Sequence, residues 1–371
     1  MKHGRVLLLV VFCLLSMALP ALATKALQAT SLVAFVNGSG QLIVSSGDGT
    51  SFRWIVTNPG EKLAGEPVWV GNQVLFAVGN SLRAGNLNQQ NVGEVGQASG
   101  ALLSVSPDGN SLFYQGQDGG YGLQSTDGSG ATPLTLTNDR GALYSGLWSG
   151  TKVAYWGYAG NSTLAVTDTA SQQTVTLDSG RSTPITPLAW RPGTAQLIFR
   201  DATGSIRLAD LACLRGSCSN NPLENATVLA LADTDVATDG TWLFYRADGN
   251  INAVNLDCGT SCNGVAIATN AAPQTALSAA GGTLVYTAYQ QNPNDPSDRE
   301  VRVLNLGCVN NPSSCAPQAV LSGAVAGAIS SDGRFAVVQT SSGLNSLDLS
   351  SGATAYLSDA GAALSDAHWQ P

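Results

Sequence analysis

Histidine is almost missing from this chain: it occurs twice in 371 residues, as His3 and His368. A Ser-His-Asp or Cys-His catalytic arrangement would have to use one of those two imidazoles, and no G-x-S-x-G elbow is present to display a serine. Charge is scarce as well, at 11% of residues, and lysine occurs only at positions 2, 25, 62 and 152. With a formal net charge of −8 and no basic cluster, the surface repels phosphate backbones and anionic lipid, so nucleic acid is not an expected partner. Beyond residue 23 there is no apolar run near the 20 or so residues that a membrane-spanning helix needs, and the chain after that point is not expected to insert into a membrane.

The apolar residues at the N-terminus have a different reading. In "MKHGRVLLLVVFCLLSMALPALAT", Lys2 and Arg5 form a basic start, Val6 to Leu19 an apolar stretch, and "ALA" at 21–23 a small-residue cleavage signal. Residues 1–23 read as a secretory signal peptide. Cys13 follows the bulky Phe12, unlike the lipid-attachment cysteine of a lipoprotein signal. Cleavage removes Lys2 and Arg5 and no acid, which takes the net charge from −8 to −10. Residues 24–371 are then expected to form a single exported domain, periplasmic, cell-surface or secreted, in an oxidising compartment, and to be monomeric.

What the chain has in abundance is a repeat. Three apolar residues, usually ending in an aromatic, recur as "VAF" at Phe35, "VLF" at Phe76, "LFY" at Tyr114, "VAY" at Tyr155, "LIF" at Phe199, "LFY" at Tyr245, "LVY" at Tyr286 and "AVV" at Val338. Successive steps are 41, 38, 41, 44, 46, 41 and 52 residues. A short strand and a tight turn precede many copies, as in "SVSPDGNSLFY" and "AISSDGRFAVV", where Asp-Gly supplies the positive φ a hairpin turn demands. A third strand such as "SIRLADL" or "EVRVLNL" follows, then a loop and a fourth strand such as "ATVLALA". Four short strands in about 40–50 residues describe a blade of a β-propeller. The C-terminal "ALSDAHWQP" matches a first strand and the N-terminal "SLVAFVNGSGQLIVSS" starts at a second, so the two ends complete one blade and leave no open sheet edge. The expected architecture is all-β, with eight four-stranded blades, or seven if one weak unit merges with a neighbour.

The strings "SVSPDGNSLFYQ", "PLAWRPGTAQLIFRDATGSIRLADL" and "AISSDGRFAVVQTSSGLNSLDLSSG" resemble the WD-like propeller repeats of the TolB family. The resemblance covers essentially all of residues 24–371 and implies the ring architecture. Several blades lack the Pro-Asp-Gly turn, and nothing matches the separate α/β domain that precedes the propeller in TolB-type proteins.

Six cysteines follow the signal segment: Cys213 with Cys218, Cys258 with Cys262, and Cys308 with Cys315. Each pair falls between the third and fourth strands of its blade, with four, three and six intervening residues. Metal sites and thiol–disulfide catalysts hold their cysteines at fixed spacing, so three different spacers in an exported chain favour three local disulfides over structural zinc.

Few other residues suggest chemistry. The insertion "YQQNPNDPSDRE" offers Asn292, Asn294, Asp295, Asp298 and Glu300 as oxygen ligands for calcium but lacks the register of an EF-hand loop, and a solvated loop without metal is the favoured reading. Trp69, Trp148, Trp190 and Trp369 recur at the ends of first strands, where blade packing explains them better than a sugar-stacking ring. The acids Asp108, Asp239, Asp332, Asp168, Asp210 and Asp348 stand in turns or at strand ends, where capping accounts for them. First strands carry small, uncharged residues, as in "DVAT", "ALSA" and "AGAIS". These features together predict a non-enzymatic scaffold without catalytic residues or cofactor, binding an envelope or extracellular protein or a glycan. The rival expectation is a propeller that binds or cleaves polysaccharide with carboxylates in its central channel, as a glycosidase needs only two.

Overall fold

In the computed structural model, residues 31–371 are described except 138–145, 159–161, 182–184, 216–221, 224, 232–235, 260–261, 274, 293–294, 296 and 360. The expected signal segment, and Cys13 within it, lie outside the described residues. The chain forms eight four-stranded antiparallel blades in a ring, an eight-bladed β-propeller.

Blades two to eight each take four consecutive strands. Their first strands are Val68–Val70, Ala101–Val105, Leu147–Ser149, Thr186–Trp190, Val236–Thr238, Leu277–Ala280 and Val325–Ile329. Blade one combines Leu32–Val36, Leu42–Ser46 and Arg53–Ile55 with Ala367–Trp369, the last strand of the chain. That strand pairs Val33 with Trp369, Ala34 with His368 and Phe35 with Ala367, so the ring closes as the two chain ends predicted. Blades three and four also touch edge to edge, through Thr137 and Tyr158.

All eight copies of the apolar triplet lie on second strands, and their final residues are 7% exposed or less. The triplet is continuous because a second strand is buried on both faces, so neither face presents the polar alternation of a half-exposed strand. In blade one, Leu32 and Ala34 pack towards Trp69 and Phe76 of blade two, whereas Val33 and Phe35 pack towards Val337 and Leu344 of blade eight. The same division recurs around the ring, and each of the eight apolar clusters joins two neighbouring blades. Burying one such aromatic stabilises by about 2–3 kcal/mol, and the interfaces between blades hold the core.

Antiparallel alternation gives the ring two faces. First-to-second and third-to-fourth loops emerge on one; second-to-third turns and the links between blades emerge on the other.

Candidate functional site

On the first face the short loops are built around a repeated serine–aspartate pair. The hydroxyls of Ser46, Ser106 and Ser330 donate to Asp48, Asp108 and Asp332 at 2.5, 2.5 and 2.6 Å. Each serine also accepts the amide of Phe52, Ser111 or Phe335 across the turn. The glycine after each aspartate has φ of +67°, +72° and +72°, a conformation that costs any residue with a Cβ. At Asp108 the Ser106 hydroxyl is the leading cause that holds the carboxyl below its usual range. Partial burial works the other way at Asp48 and Asp332, but the hydroxyl and amide donors outweigh it and hold both low.

The remaining acids singled out in the sequence do the same work. Asp239 accepts the amides of Thr241 and Trp242, Asp210 that of Ala212, and Asp348 those of Ser350 and Ser351. Asp168 accepts the amide of Ala170 and pairs with Lys152 at 2.7 Å. All six therefore cap turns, as their positions predicted.

Cysteine pairs lie on the same face. Cys258 bonds to Cys262 and Cys308 to Cys315, each with Cα atoms 5.0 Å apart. Both bridges pack against the apolar cluster shared with the preceding blade. Cys213 is also disulfide-bonded; Cys218, its expected partner, lies outside the described residues. Closing loops this short stabilises by about 2 kcal/mol per bridge.

The four recurring tryptophans are clamps between blades. Indole Nε1 of Trp69 donates to the His368 carbonyl (2.8 Å), that of Trp190 to the Leu147 carbonyl (2.8 Å), and that of Trp369 to the Ala328 carbonyl (2.9 Å). Trp148 donates to the Ser104 hydroxyl at 3.0 Å. Every acceptor is on the first strand of the preceding blade. His368 lies at this seam, with Nε2 3.6 Å from Glu66.

The second face carries the insertion and two cavities. Asp298 accepts the amides of Gln291 and Asn292, and Asp295 accepts the amide and hydroxyl of Ser297. Glu300, buried, is engaged by Arg302 on its own strand. The loop thus brings Asn292, Asp295 and Asp298 together through internal turns, while Asn294 lies outside the described residues. Among the described residues no three His, Cys, Asp or Glu side chains are grouped to hold a metal ion. A trough of about 800 Å³ opens between blades two and three, and one of about 370 Å³ between blades six and seven. A third, of about 560 Å³, lies between blades three and four on the first face.

Two arrangements escaped the sequence. Arg191 grips Asp257 through two 2.8 Å bonds and donates to the Gly240 carbonyl at 2.7 Å, tying blade five to blade six. Arg246 is fully buried and donates to the carbonyl of Thr275 at 2.7 Å. Its place directly after the apolar triplet "LFY" was the available signal.

The outer rim is the other unusual surface. Every large apolar side chain that stands exposed among the described residues is on a fourth strand: Ile55, Val92, Val95, Val228, Leu231, Val265 and Tyr356. Leu231 is 69% exposed and Tyr356 55%. The fourth strands of blades five to eight, Thr227–Leu231, Val265–Ala268, Gln318–Ser322 and Thr354–Ser358, contain no charged residue.

Comparison with known proteins places the chain by fold. No family model matches the sequence, and no curated protein matches it. Solved structures do. The dihydro-heme d1 dehydrogenase NirN, in complex with DHE, aligns over 90% of this chain and 74% of its own at 14% identity, with a TM-score of 0.58. BamB from Moraxella catarrhalis aligns over 86% of this chain and 91% of its own at 12% identity, with a TM-score of 0.51. TolB from Acinetobacter baumannii covers 92% of this chain and 67% of its own at 14% identity and a TM-score of 0.38. The shared feature is the propeller. At these identities a common fold does not carry a common activity, and the TolB-like repeat stands as a description of architecture.

Proposed function

We propose that this protein is an exported, non-enzymatic scaffold that docks a protein at the cell envelope through its outer rim. The observation that carries this reading is the uncharged, partly apolar edge formed by the fourth strands of blades five to eight. Edge strands present unpaired backbone groups, and soluble proteins blunt them with charge, proline or bulges. These four lack lysine, arginine, aspartate, glutamate and proline alike, and each departs from regular pairing with its third strand at a single register shift. An edge of free N–H and C=O groups is completed by another polypeptide strand, whereas a glycan cannot continue the ladder. Exposed Leu231 and Tyr356 would seat such a partner.

Export is supported by the disulfides, which persist in oxidising compartments. Among the described residues no helix is long and apolar enough to cross a membrane. The channel-cleavage alternative finds no support in the six acids singled out above, since each is engaged at a turn.

The test is cross-linking of the tagged protein in its native envelope, followed by mass spectrometry, for the wild type and for Leu231→Lys with Tyr356→Lys. One discrete protein captured by the wild type and lost from the variant is the expected result. Recovery of only glycan, or equal capture by the variant, would overturn the rim reading.

A further inference from the structure

We infer that the 800 Å³ trough between blades two and three is a binding site for a neutral oligosaccharide. Its volume lies within the range of ligand sites, about 300–1,000 Å³. Small residues create it. Gly100 begins the wall, and a Cβ there would stand 2.2 Å from the Gln115 carbonyl oxygen, so this position accepts no side chain while the turn keeps its place. Gly79, Ala98, Ala101 and Gly116 leave the rest of the trough open.

The polar groups that remain are mostly amides. Asn80, Gln97 and Gln117 line the trough, and among the described residues no other protein group engages their side chains. Each amide offers two donors and an acceptor, which matches a sugar hydroxyl that both donates and accepts. No lysine, arginine or histidine lines the trough, and Asp118 is its one acid. That charge pattern opposes an anionic ligand, whose charge would meet a carboxylate and no cation. A peptide would need deep apolar pockets for anchoring side chains, whereas the apolar lining here comprises Pro133, Leu134, small alanines and the largely buried Tyr114 and Tyr121. This shallow apolar lining suits the C–H face of a pyranose, with the amides reaching its rim hydroxyls.

The site is separate from the rim of blades five to eight and stands whether or not that rim docks a protein. Its test uses the purified full chain without any partner. Calorimetric titration with maltohexaose, cellohexaose, laminarihexaose and mannohexaose is compared with an anionic alginate hexasaccharide. At least one neutral sugar is expected to bind, with the alginate on the order of tenfold weaker or worse. Gln97→Ala with Gln117→Ala is expected to weaken that binding on the order of tenfold while leaving the thermal midpoint unchanged. If that variant misfolds, Asn80→Ala provides the same readout from an exposed turn. The inference is overturned if no neutral sugar binds in the millimolar range, if alginate binds as tightly, or if the amide variants bind as the wild type does.

Discussion

The two faces of the ring are built on different principles. On one, serine–aspartate pairs, capped turns and disulfides fix the loops, and the tryptophan clamps tie first strands together beneath them. On the other, the second-to-third turns are two to five residues long except for the nine-residue insertion at 290–298, and small residues open a trough of about 800 Å³. The two bridges staple long third-to-fourth loops, nine residues in blade six and twelve in blade seven, whereas the trough opens beside the short turns at 79–80 and 116–119.

Several changes break or sharpen this contrast. Deleting residues 367–371 removes the first strand of blade one, the Trp369 clamp and the acceptor of Trp69 together. The expected loss exceeds about 5 kcal/mol, which is the whole stability of many domains, and circular dichroism on heating should show no cooperative transition near the wild-type midpoint. Trp69→Ala leaves a cavity at one seam and is expected to cost about 3–5 kcal/mol, read as a lower urea midpoint. Cys308→Ala with Cys315→Ala should cost about 2 kcal/mol. Gln117→Ala, on the open face, should stay within about 0.5 kcal/mol of the wild type.

Acid weakens the capped turns. The carboxyls of Asp108, Asp332 and Asp348 are held low in the folded protein, so the unfolded chain binds their protons first. Their contribution is present above the unfolded aspartate pKa near 3.9 and is lost as pH falls through the lower folded values. Thermal midpoints are therefore expected to drop below about pH 4, and less steeply in Asp332→Asn. A midpoint independent of pH in that range would contradict the capping role of these acids.

Much of this architecture is legible in the sequence because a propeller repeats itself. A triplet such as "LFY" at 112–114 recurs with its turn and its following strand, and eight copies expose a pattern that one would hide. The ring closure was readable from His368–Trp369 because that segment matches a lone first strand and the N-terminal segment begins at a second. Repetition also assigned the tryptophans correctly, since a residue that follows the period serves the interface that follows the period. Features that occur once were not readable. Arg191 and Asp257 are 66 residues apart and meet only because consecutive blades are stacked. The trough between blades two and three depends on the absence of side chains at Gly79, Gly100 and Gly116, and glycine is too common here, at 42 residues, for three of them to stand out. The engagement of Asp295, Asp298 and Glu300 within their own loop and strand was not readable at 292–300, because hydrogen-bond partners are not written in spacing.

The central claim is that the uncharged rim docks a protein. Its most direct test is a photo-cross-linking residue placed at Val228, Leu231 or Tyr356, with the exposed Asp127, in the third-to-fourth loop of blade three, as the control, activated in the native envelope. The rim positions are expected to give one shared protein adduct and the control none. Labelling of equal strength at Asp127, or no adduct from any rim position, would contradict the account.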